Sequence, residues 1–577
     1  MKSQLQTLLR EALDTVLAGA VPAPETINLE PARDRKHGDF ATNVALTLAK
    51  PLGRPPRQVA EAIVQALPPS PLVKRVDIAG PGFINFFLVE GAMQALVTEI
   101  LQAGPAYGRA APGSAGRVMV EFVSANPTGP MHVGHGRNAA YGDALANVLE
   151  ASGWEVFREY YINDAGRQAD ILTVSVWLRY LQDGGAALAF PESGYPGDYI
   201  REAAAALRLQ MGAGMQRAAA DVAHGLPADE AAGGDKEKHM DALIARARAL
   251  LGAGYEAVQR LALERQLADI RATLDAFGVR FDRWASERDT VDSGAVRRAV
   301  EQLRIGGHTY EQDGALWLRT TFLGDEKDRV LIKADGSATY FVNDIAYHVD
   351  KLARHWPNLL DVWGADHHGY IARMRAAIRA LTGRKDALQV QLIQFVTLSS
   401  GRMGKRRGNF VTLKDLIGEA GRDATRFFYL SRSHDQHLEF DVELARSQSN
   451  DNPVYYVQYA HARIASVFRQ AAERGLPVDL AAPAPLERLV DPTEQALLAV
   501  LARYVQTLRN AAANSTPHLL TFYLRELADG LHRWYNACPF LVDDAALRKA
   551  RLALAAATQQ VLRNGLALAG VSAPDKM

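Results

Sequence analysis

One stretch limits the possible folds of this chain more than any other: ANPTGPMHVGHGRNAAYGDALANVLEASGWEV, residues 125–156. It follows RVMVEFV, in which Val118, Val120 and Phe122 alternate onto one face as a strand requires. Pro127 and Pro130 lack amide donors and restrict their neighbours, so the chain must leave the sheet as an extended loop. A helix from about Gly136 to Ser152 is predicted next, stopped at Gly153, before WEVFREYYI resumes strand character. Strand, loop, helix and strand in this order build a parallel sheet, and ligands of such sheets bind beyond the carboxyl ends of the strands. A helix N-terminus there offers unpaired N–H groups and positive potential to phosphate. His132 and His135 lie at that end, and Gly134 removes a side chain between them so that a flat base or a sugar can approach. The spacing suits a nucleoside triphosphate whose phosphates meet two imidazole donors. Two other readings stay open on these residues alone: a turn with ordinary histidines, or a pair of metal ligands, although no cysteine or HExxH lies nearby.

The rest of the chain divides around this unit. At 577 residues it is too long for one ordinary hydrophobic core. Residues 1–105 read as a small α/β domain, with helices from Ser3, from about Thr42 to Lys50 and near Arg57 to Leu67. In VKRVDIAGPGFINFFL, strand-like alternation flanks a Gly-Pro-Gly turn. The Gly-, Pro- and Ala-rich segment from Ala103 to Gly116 is the best linker candidate. Residues 106–440 alternate strand and helix patterns, as a Rossmann-like parallel-sheet domain does, with a loop-like, Ala-rich insertion around 181–235. Residues 441–577 are almost wholly helical. The fold class is therefore multidomain α/β: a parallel-sheet domain, a small N-terminal α/β domain and an all-helical C-terminal domain.

Composition narrows the setting. Lys plus Arg and Asp plus Glu number 65 each, so any nucleic-acid partner must be met by local patches and not by net charge. The single cysteine, Cys538, excludes an intrachain disulfide framework and a multi-cysteine zinc site, and suits a reducing compartment. No apolar run reaches the roughly 18 residues of a spanning helix, and the N-terminus is amphipathic, unlike a signal peptide. A cytoplasmic location without membrane contact is expected.

A second basic loop, LSSGRMGKRRGNFVTLKDLI, lies at residues 398–417. Alone it reads as a solvated surface loop. Clustered cations on a mobile loop also suit adenylation, in which charge grows on the α-phosphate and the departing pyrophosphate. Together with HVGH, it resembles the paired ATP-binding signatures of class I aminoacyl-tRNA synthetases. Within that class the chain resembles the arginyl-tRNA synthetase family along essentially its whole length. VEFVSANPTGPMHVGHGRNAAYGDAL is similar to the extended first signature, GSATYFVNDIAYHVDK to the amino-acid-binding segment and DATRFFYL to the start of the anticodon-binding part. GDFATNVALTLAK and AGPGFINFFL are similar to the additional N-terminal domain, which in the family touches the tRNA corner.

The resemblance implies ligation of L-arginine to its cognate tRNA(Arg) through an arginyl-adenylate, with ATP and Mg2+ and no structural metal. It implies a monomer, and arginine activation that depends on bound tRNA. His132 and His135 are the implied ATP-binding and catalytic histidines, together with Gly134, Met403 and Lys405 of the two signatures. His135 is also implied to lie close to the arginine. Lys405 matches the second lysine of the loop signature, but Arg402 stands for the first lysine and Gly404 for the serine. Some members carry a compensating lysine just before the first histidine, where this chain has Gly129. Arginine's guanidinium wants carboxylates, because its planar fork pairs bidentately with an anion. Tyr340 and Asp344 match the family's guanidinium positions, four residues apart, where a strand could close on Tyr340 and a helix open on Asp344. Ser124 and Asn126 match positions at the backbone end of the amino acid, and His367 of WGADHH lines the pocket. Glu121, an acid in an apolar strand, needs a cationic partner, from substrate or from protein. In the C-terminal domain Tyr455, Tyr459, Arg463, Trp534 and Tyr535 are candidates for stacking on anticodon bases and meeting phosphates, although tyrosines at helical spacing also serve as core. Competing functions are another adenylyl transfer on the same fold, a non-catalytic tRNA-binding relative, and a phosphoesterase using Asp366, His367 and His368 as metal ligands.

Overall fold

The computed structural model describes residues 2–19, 21–24, 27–32, 37–70, 72–89, 91, 93–399, 411–476 and 479–577. The N-terminal part packs helices Lys2–Leu17, Val44–Leu52 and Pro56–Ala66 on a four-stranded antiparallel sheet. Leu5, Leu9, Leu13, Val59, Ile63, Ile84 and Phe86 fill the space between them, in a core separate from the rest. Gly82 shows why the Gly-Pro-Gly turn is built as it is. At φ +144° a Cβ there would lie 2.9 Å from the backbone of Pro56, so only glycine lets the hairpin touch the third helix.

The central sheet is five-stranded and parallel, in the spatial order Leu388–Ile393, Asn358–Gly364, Gly116–Glu121, Trp154–Ile162, Arg283–Ser286. Chain order runs one way from Gly116–Glu121 and the other way from Asn358–Gly364, so the topological switch point lies between these two strands. The loop containing PTGPMHVGH leaves one of them and WGADHH leaves the other. Asn138 bridges the gap: its Oδ1 accepts from the Val123 amide at 2.8 Å and its Nδ2 donates to the Val362 carbonyl at 3.1 Å.

The helix after the first strand spans Val133–Ala151, three residues earlier than the Gly136 start predicted from sequence. It is buried on nearly every side, because its small residues admit neighbours all round: a Cβ on Gly142 would sit 2.3 Å from the Phe122 ring. The segment around 181–235, expected to be loop-like, contains helix Asp198–Met211 and short turns. These pack with Arg167–Asp183, Lys236–Leu251 and Gly254–Phe277 in a helical subdomain with its own core around Trp177, Tyr180, Ile200 and Leu243. A three-stranded antiparallel sheet, Arg329–Ile332, Ala315–Leu318 and Thr309–Gln312, was not foreseen.

Beyond residue 441 the chain is helical, with long helices Pro453–Glu473, His518–Ala537 and Ala545–Leu568. These share one continuous core with the parallel sheet, from Val120 and Phe122 through Leu145 and Phe427 to Leu524 and Leu562. The joint is a short helix, Arg422–Tyr429. Its buried Arg426 pairs with Asp143 of the central helix and donates to the carbonyls of Phe277 at 3.0 Å and Ala569 at 3.1 Å, tying three parts of the chain together.

Candidate active site

His132 is the N-cap of the helix Val133–Ala151. Its Nδ1 accepts from the amides of Gly134 at 3.1 Å and His135 at 3.3 Å, while Nδ1 of His135 accepts from the His132 amide at 3.2 Å. This is a capping box made from two imidazoles. The rings stack with centroids 3.6 Å apart and planes 20° apart. Because each Nδ1 is an acceptor, the ring proton of each must reside on Nε2. Burial lowers the pKa of His132, and burial plus the neighbouring ring lowers that of His135 to about 3, so both are neutral N–H donors. The first amides of the helix, expected to face phosphate directly, are occupied by the His132 ring, and positive potential is presented through the two Nε2–H groups instead. Gly134 makes room for that ring: a Cβ there would lie 3.0 Å from His132 Cε1.

The second basic signature is fastened to the same place at its far end. Thr412 forms an antiparallel bridge with His132, and the Leu413 amide donates to the Met131 carbonyl at 2.8 Å. Met403 and Lys405 lie outside the described residues, as does Arg402.

Between the sheet and helix Tyr340–Ala353 lies a set of acids. Glu121, at the end of its strand, finds its cationic partner in the protein: Lys351 Nζ lies 2.5 Å from Glu121 and 3.1 Å from Asp361, and His348 bonds Asp361 at 2.8 Å. All four side chains are buried. Burial opposes ionisation of Asp361, yet Lys351 and His348 hold its carboxyl down at about 2. Ser124 donates to Glu121 at 2.9 Å and accepts from the Tyr161 amide at 3.1 Å. Ser124 and Val123 hold left-handed backbone angles, φ 39° and 67°, a strain of about 1–3 kcal/mol each that is stored where the strand turns out of the sheet. Asn126 is exposed and accepts from Asn163 at 2.6 Å.

Asp344 sits one turn inside helix Tyr340–Ala353, whose first residue is Tyr340 and whose N-cap is Thr339. The strand–helix break imagined between Tyr340 and Asp344 is thus replaced by one helix, on which positions four apart share a face. Tyr370 donates to the Asp344 carboxylate. Burial raises the Asp344 pKa. Glu287 is pushed up to about 7 by burial, by Asp344 and by Asp164. Among the described residues none of these three carboxylates is ion-paired, in contrast to Glu121. Tyr161 stands among them and feels Glu287, Asp344, Glu121 and Asp164 together. Tyr340 is 73% exposed, and His367 is exposed beside Asp366 at 3.5 Å on the turn Ala365–Tyr370. Asp164 and Glu287 were missed in the sequence. Asp164 follows a strand carboxyl end, the position at which sites of this fold gather, whereas Glu287 looks like an ordinary first-turn acid after the N-cap Ser286.

A second cluster lies on the C-terminal helices. The rings of Tyr455 and Tyr459 stack at 6.0 Å, and the Arg463 guanidinium lies 5.0 Å from the Tyr459 ring centre and 4.1 Å from that of Tyr535. His532, not singled out from sequence, receives Arg463 Nη1 at 3.0 Å. Trp534 does not join them. It is fully buried against Phe540 at 4.3 Å, because it falls on the inward face of its helix while Arg533 and Tyr535 flank it outside.

Comparison with known proteins agrees along the chain. Residues 3–88 match the family model of the arginyl tRNA synthetase N terminal domain, residues 96–189 and 237–443 that of the catalytic domain of tRNA synthetases class I (R), and residues 457–577 that of the DALR anticodon binding domain. The arginine–tRNA ligase of Thioalkalivibrio sulfidiphilus is 53% identical over 586 residues and that of Halorhodospira halophila 52% over 588, each alignment covering 100% of both chains. The arginyl-tRNA synthetase structure from Thermus thermophilus superposes with a TM-score of 0.78 at 26% identity, over 99% of this chain and 100% of the other. That from Plasmodium falciparum, at 15% identity, shares the fold with a TM-score of 0.71 over 100% and 99%.

Proposed function

The chain belongs to the arginine–tRNA ligase family, class I synthetases that join arginine to tRNA using ATP, and from that premise we propose how its residues divide the work. The arginine carboxylate attacks the α-phosphorus of ATP, pyrophosphate leaves, and a terminal ribose hydroxyl of the tRNA then displaces AMP from the arginyl-adenylate. No protein nucleophile takes part, so positioning and electrostatics carry the rate.

The Nε2–H groups of His132 and His135 donate to the transferring phosphate, and their neutrality at working pH keeps them donors without proton loss. Lys405, with Met403 in the same loop, neutralises the departing pyrophosphate. The donors around the histidines are N–H groups and not oxygens, so magnesium would arrive held by the phosphate oxygens of ATP and supply charge neutralisation there.

The guanidinium goes to Asp344 and Glu287, with Asp164 behind them and Tyr340 covering the opening. This cluster is the observation that carries the specificity: Asp344 and Glu287 stand close together with no ion-pair partner among the described residues, and Glu287 is kept from ionising fully at neutral pH, so the site suits an incoming positive charge. Glu121, locked to Lys351, orients Ser124, and Ser124, Asn126 and His135 hold the backbone end of arginine; His367 stands at the rim. Tyr455, Tyr459, Arg463 and Tyr535 form the anticodon-stacking face, and the N-terminal domain meets the tRNA corner. We take the enzyme as a monomer, because its catalytic and C-terminal helical parts already share one core, and as cytoplasmic; among the described residues no helix is long and apolar enough to cross a membrane.

Pyrophosphate exchange with each amino acid in turn, with and without tRNA, tests the reading. Exchange with arginine alone, requiring tRNA, is expected; exchange driven by lysine or a neutral amino acid would refute the assignment of the acid cluster.

A further inference from the structure

We infer that Arg137 is a positioning residue for adenylate formation: it sets the register between the helix carrying His132 and His135 and the strand that leads into the second basic signature. The inference rests on the ATP-site reading given above.

Arg137 lies one turn beyond His132 and is 1% exposed. Its guanidinium grips three backbone carbonyls. Nη1 donates to Gln394 at 2.9 Å and Gln436 at 2.7 Å, and Nη2 donates to Ser433 at 2.8 Å. These carbonyls come from two separate stretches of chain. Gln394 follows the sheet strand Leu388–Ile393 and precedes strand Val396–Leu398; Ser433 and Gln436 precede Leu438–Phe440, its parallel partner. The stretches are stitched together by the Gln394 amide to His434 at 2.9 Å and the Leu438 amide to Phe395 at 3.1 Å. Arg137 therefore holds the whole crossing, and with it strand Val396–Leu398, against the histidine helix.

Among the described residues no carboxylate ion-pairs with this buried cation. A buried guanidinium with no ion-pair partner, and with only the more distant Asp435 to offset its charge, is expensive, and an apolar side chain would pack more cheaply. The three bonds leave from two nitrogens of one rigid plane, whereas a lysine ammonium gathers its three donors on a single nitrogen and an amide has only two. The far end of the basic signature is referred to the same helix through the Thr412–His132 bridge. Both flanks of that signature are thereby indexed to the paired imidazoles. An error of about 1 Å in such an arrangement can lower turnover by about a hundredfold.

The test is a double-mutant cycle on the full-length enzyme, read by tRNA-dependent pyrophosphate exchange and by thermal unfolding. Arg137→Lys keeps the charge and loses the fork; Arg137→Leu keeps the packing and loses both. The expected result is a loss of kcat of about tenfold to a hundredfold in folded Arg137→Lys, with the KM for arginine unchanged, and a much smaller loss when the same change is made in a Lys405→Ala background. An equal loss in both backgrounds, or a raised KM for arginine with kcat intact, overturns the inference while leaving the ATP-site reading in place. Full activity of Lys405→Ala by itself overturns that reading, and the inference with it. If neither arginine variant folds, Arg137 is a stability element first and the inference also fails.

Discussion

The imidazole of His132 lies flat on that of His135, 3.6 Å between ring centres, and each ring accepts an amide hydrogen from the other's residue. The pair is at once the start of a helix and a pair of oriented N–H donors. Structure and chemistry separate in the variants. His132→Ala loses the cap, about 0.5–2 kcal/mol of stability, and a phosphate donor. Asn is a strong N-cap, so His132→Asn recovers the thermal stability but not the rate, which stays roughly a hundredfold to a thousandfold down in pyrophosphate exchange. Recovery of both together would show that capping is the whole role.

Glu287 gives a pH signature. Its folded pKa of about 7 lies above the ordinary carboxyl value of roughly 4.3, so the folded state holds the extra proton between those values. Its contribution to stability is complete below the ordinary value and is lost as pH rises through 7. Relative to Glu287→Gln, the apo wild type should lose thermal stability between about pH 4.5 and 7. Arginine binding needs the ionised form, so the wild-type KM for arginine should rise as pH falls below 7, with a proton released on binding. Calorimetry in buffers of different ionisation enthalpy checks this; no proton release at pH 7 would remove Glu287 from the guanidinium site.

Lys351 is predicted to be structural. Replacing it by Met leaves Glu121 buried without its cation and Asp361 with His348 alone, which should cost about 3–5 kcal/mol in denaturant unfolding. A loss below about 1 kcal/mol, as expected of a solvent-screened pair, would mean that water reaches the acids.

On the C-terminal helices, Tyr459→Ala and Arg463→Ala should raise the KM for tRNA by about tenfold without shifting the melting temperature, since a base stack is worth about 1–3 kcal/mol. Trp534→Ala should instead destabilise the fold by about 3–5 kcal/mol. Reversed effects would make Tyr459 and Arg463 core residues and place Trp534 on the RNA face.

What sequence could show and what it could not follow one physical line. The parallel sheet, its carboxyl-end loops and the helical C-terminal part were legible because they depend on periodicity and on proline and glycine placement, which are local. The helix start was misplaced because histidine is not a usual N-cap; its role depends on a partner three residues on that closes the box. The insertion around 181–235 read as loop because its many alanines and glycines blur amphipathic contrast, yet Asp198–Met211 forms a helix once Trp177 and Leu243 cover it. Trp534 could not be separated from Tyr535 by type alone, because adjacent helical residues point about 100° apart and only the packing says which is inside. Glu121 was recognised as needing a cation, but Lys351 lies 230 residues away, and no local pattern joins them. Glu287 and Asp164 emerge as site residues only when strand ends from distant segments meet.

The proposed site joins the neutral imidazole pair, for triphosphate, to the carboxylates of Asp344 and Glu287, for the guanidinium. The most direct measurement is a crystal structure with arginine, tRNA and a non-hydrolysable ATP analogue. Both histidine Nε2 atoms are expected within about 3 Å of phosphate oxygens, and the guanidinium on the carboxylates of Asp344 and Glu287. A guanidinium bound away from these acids, or phosphates that leave both imidazoles facing solvent, would contradict it.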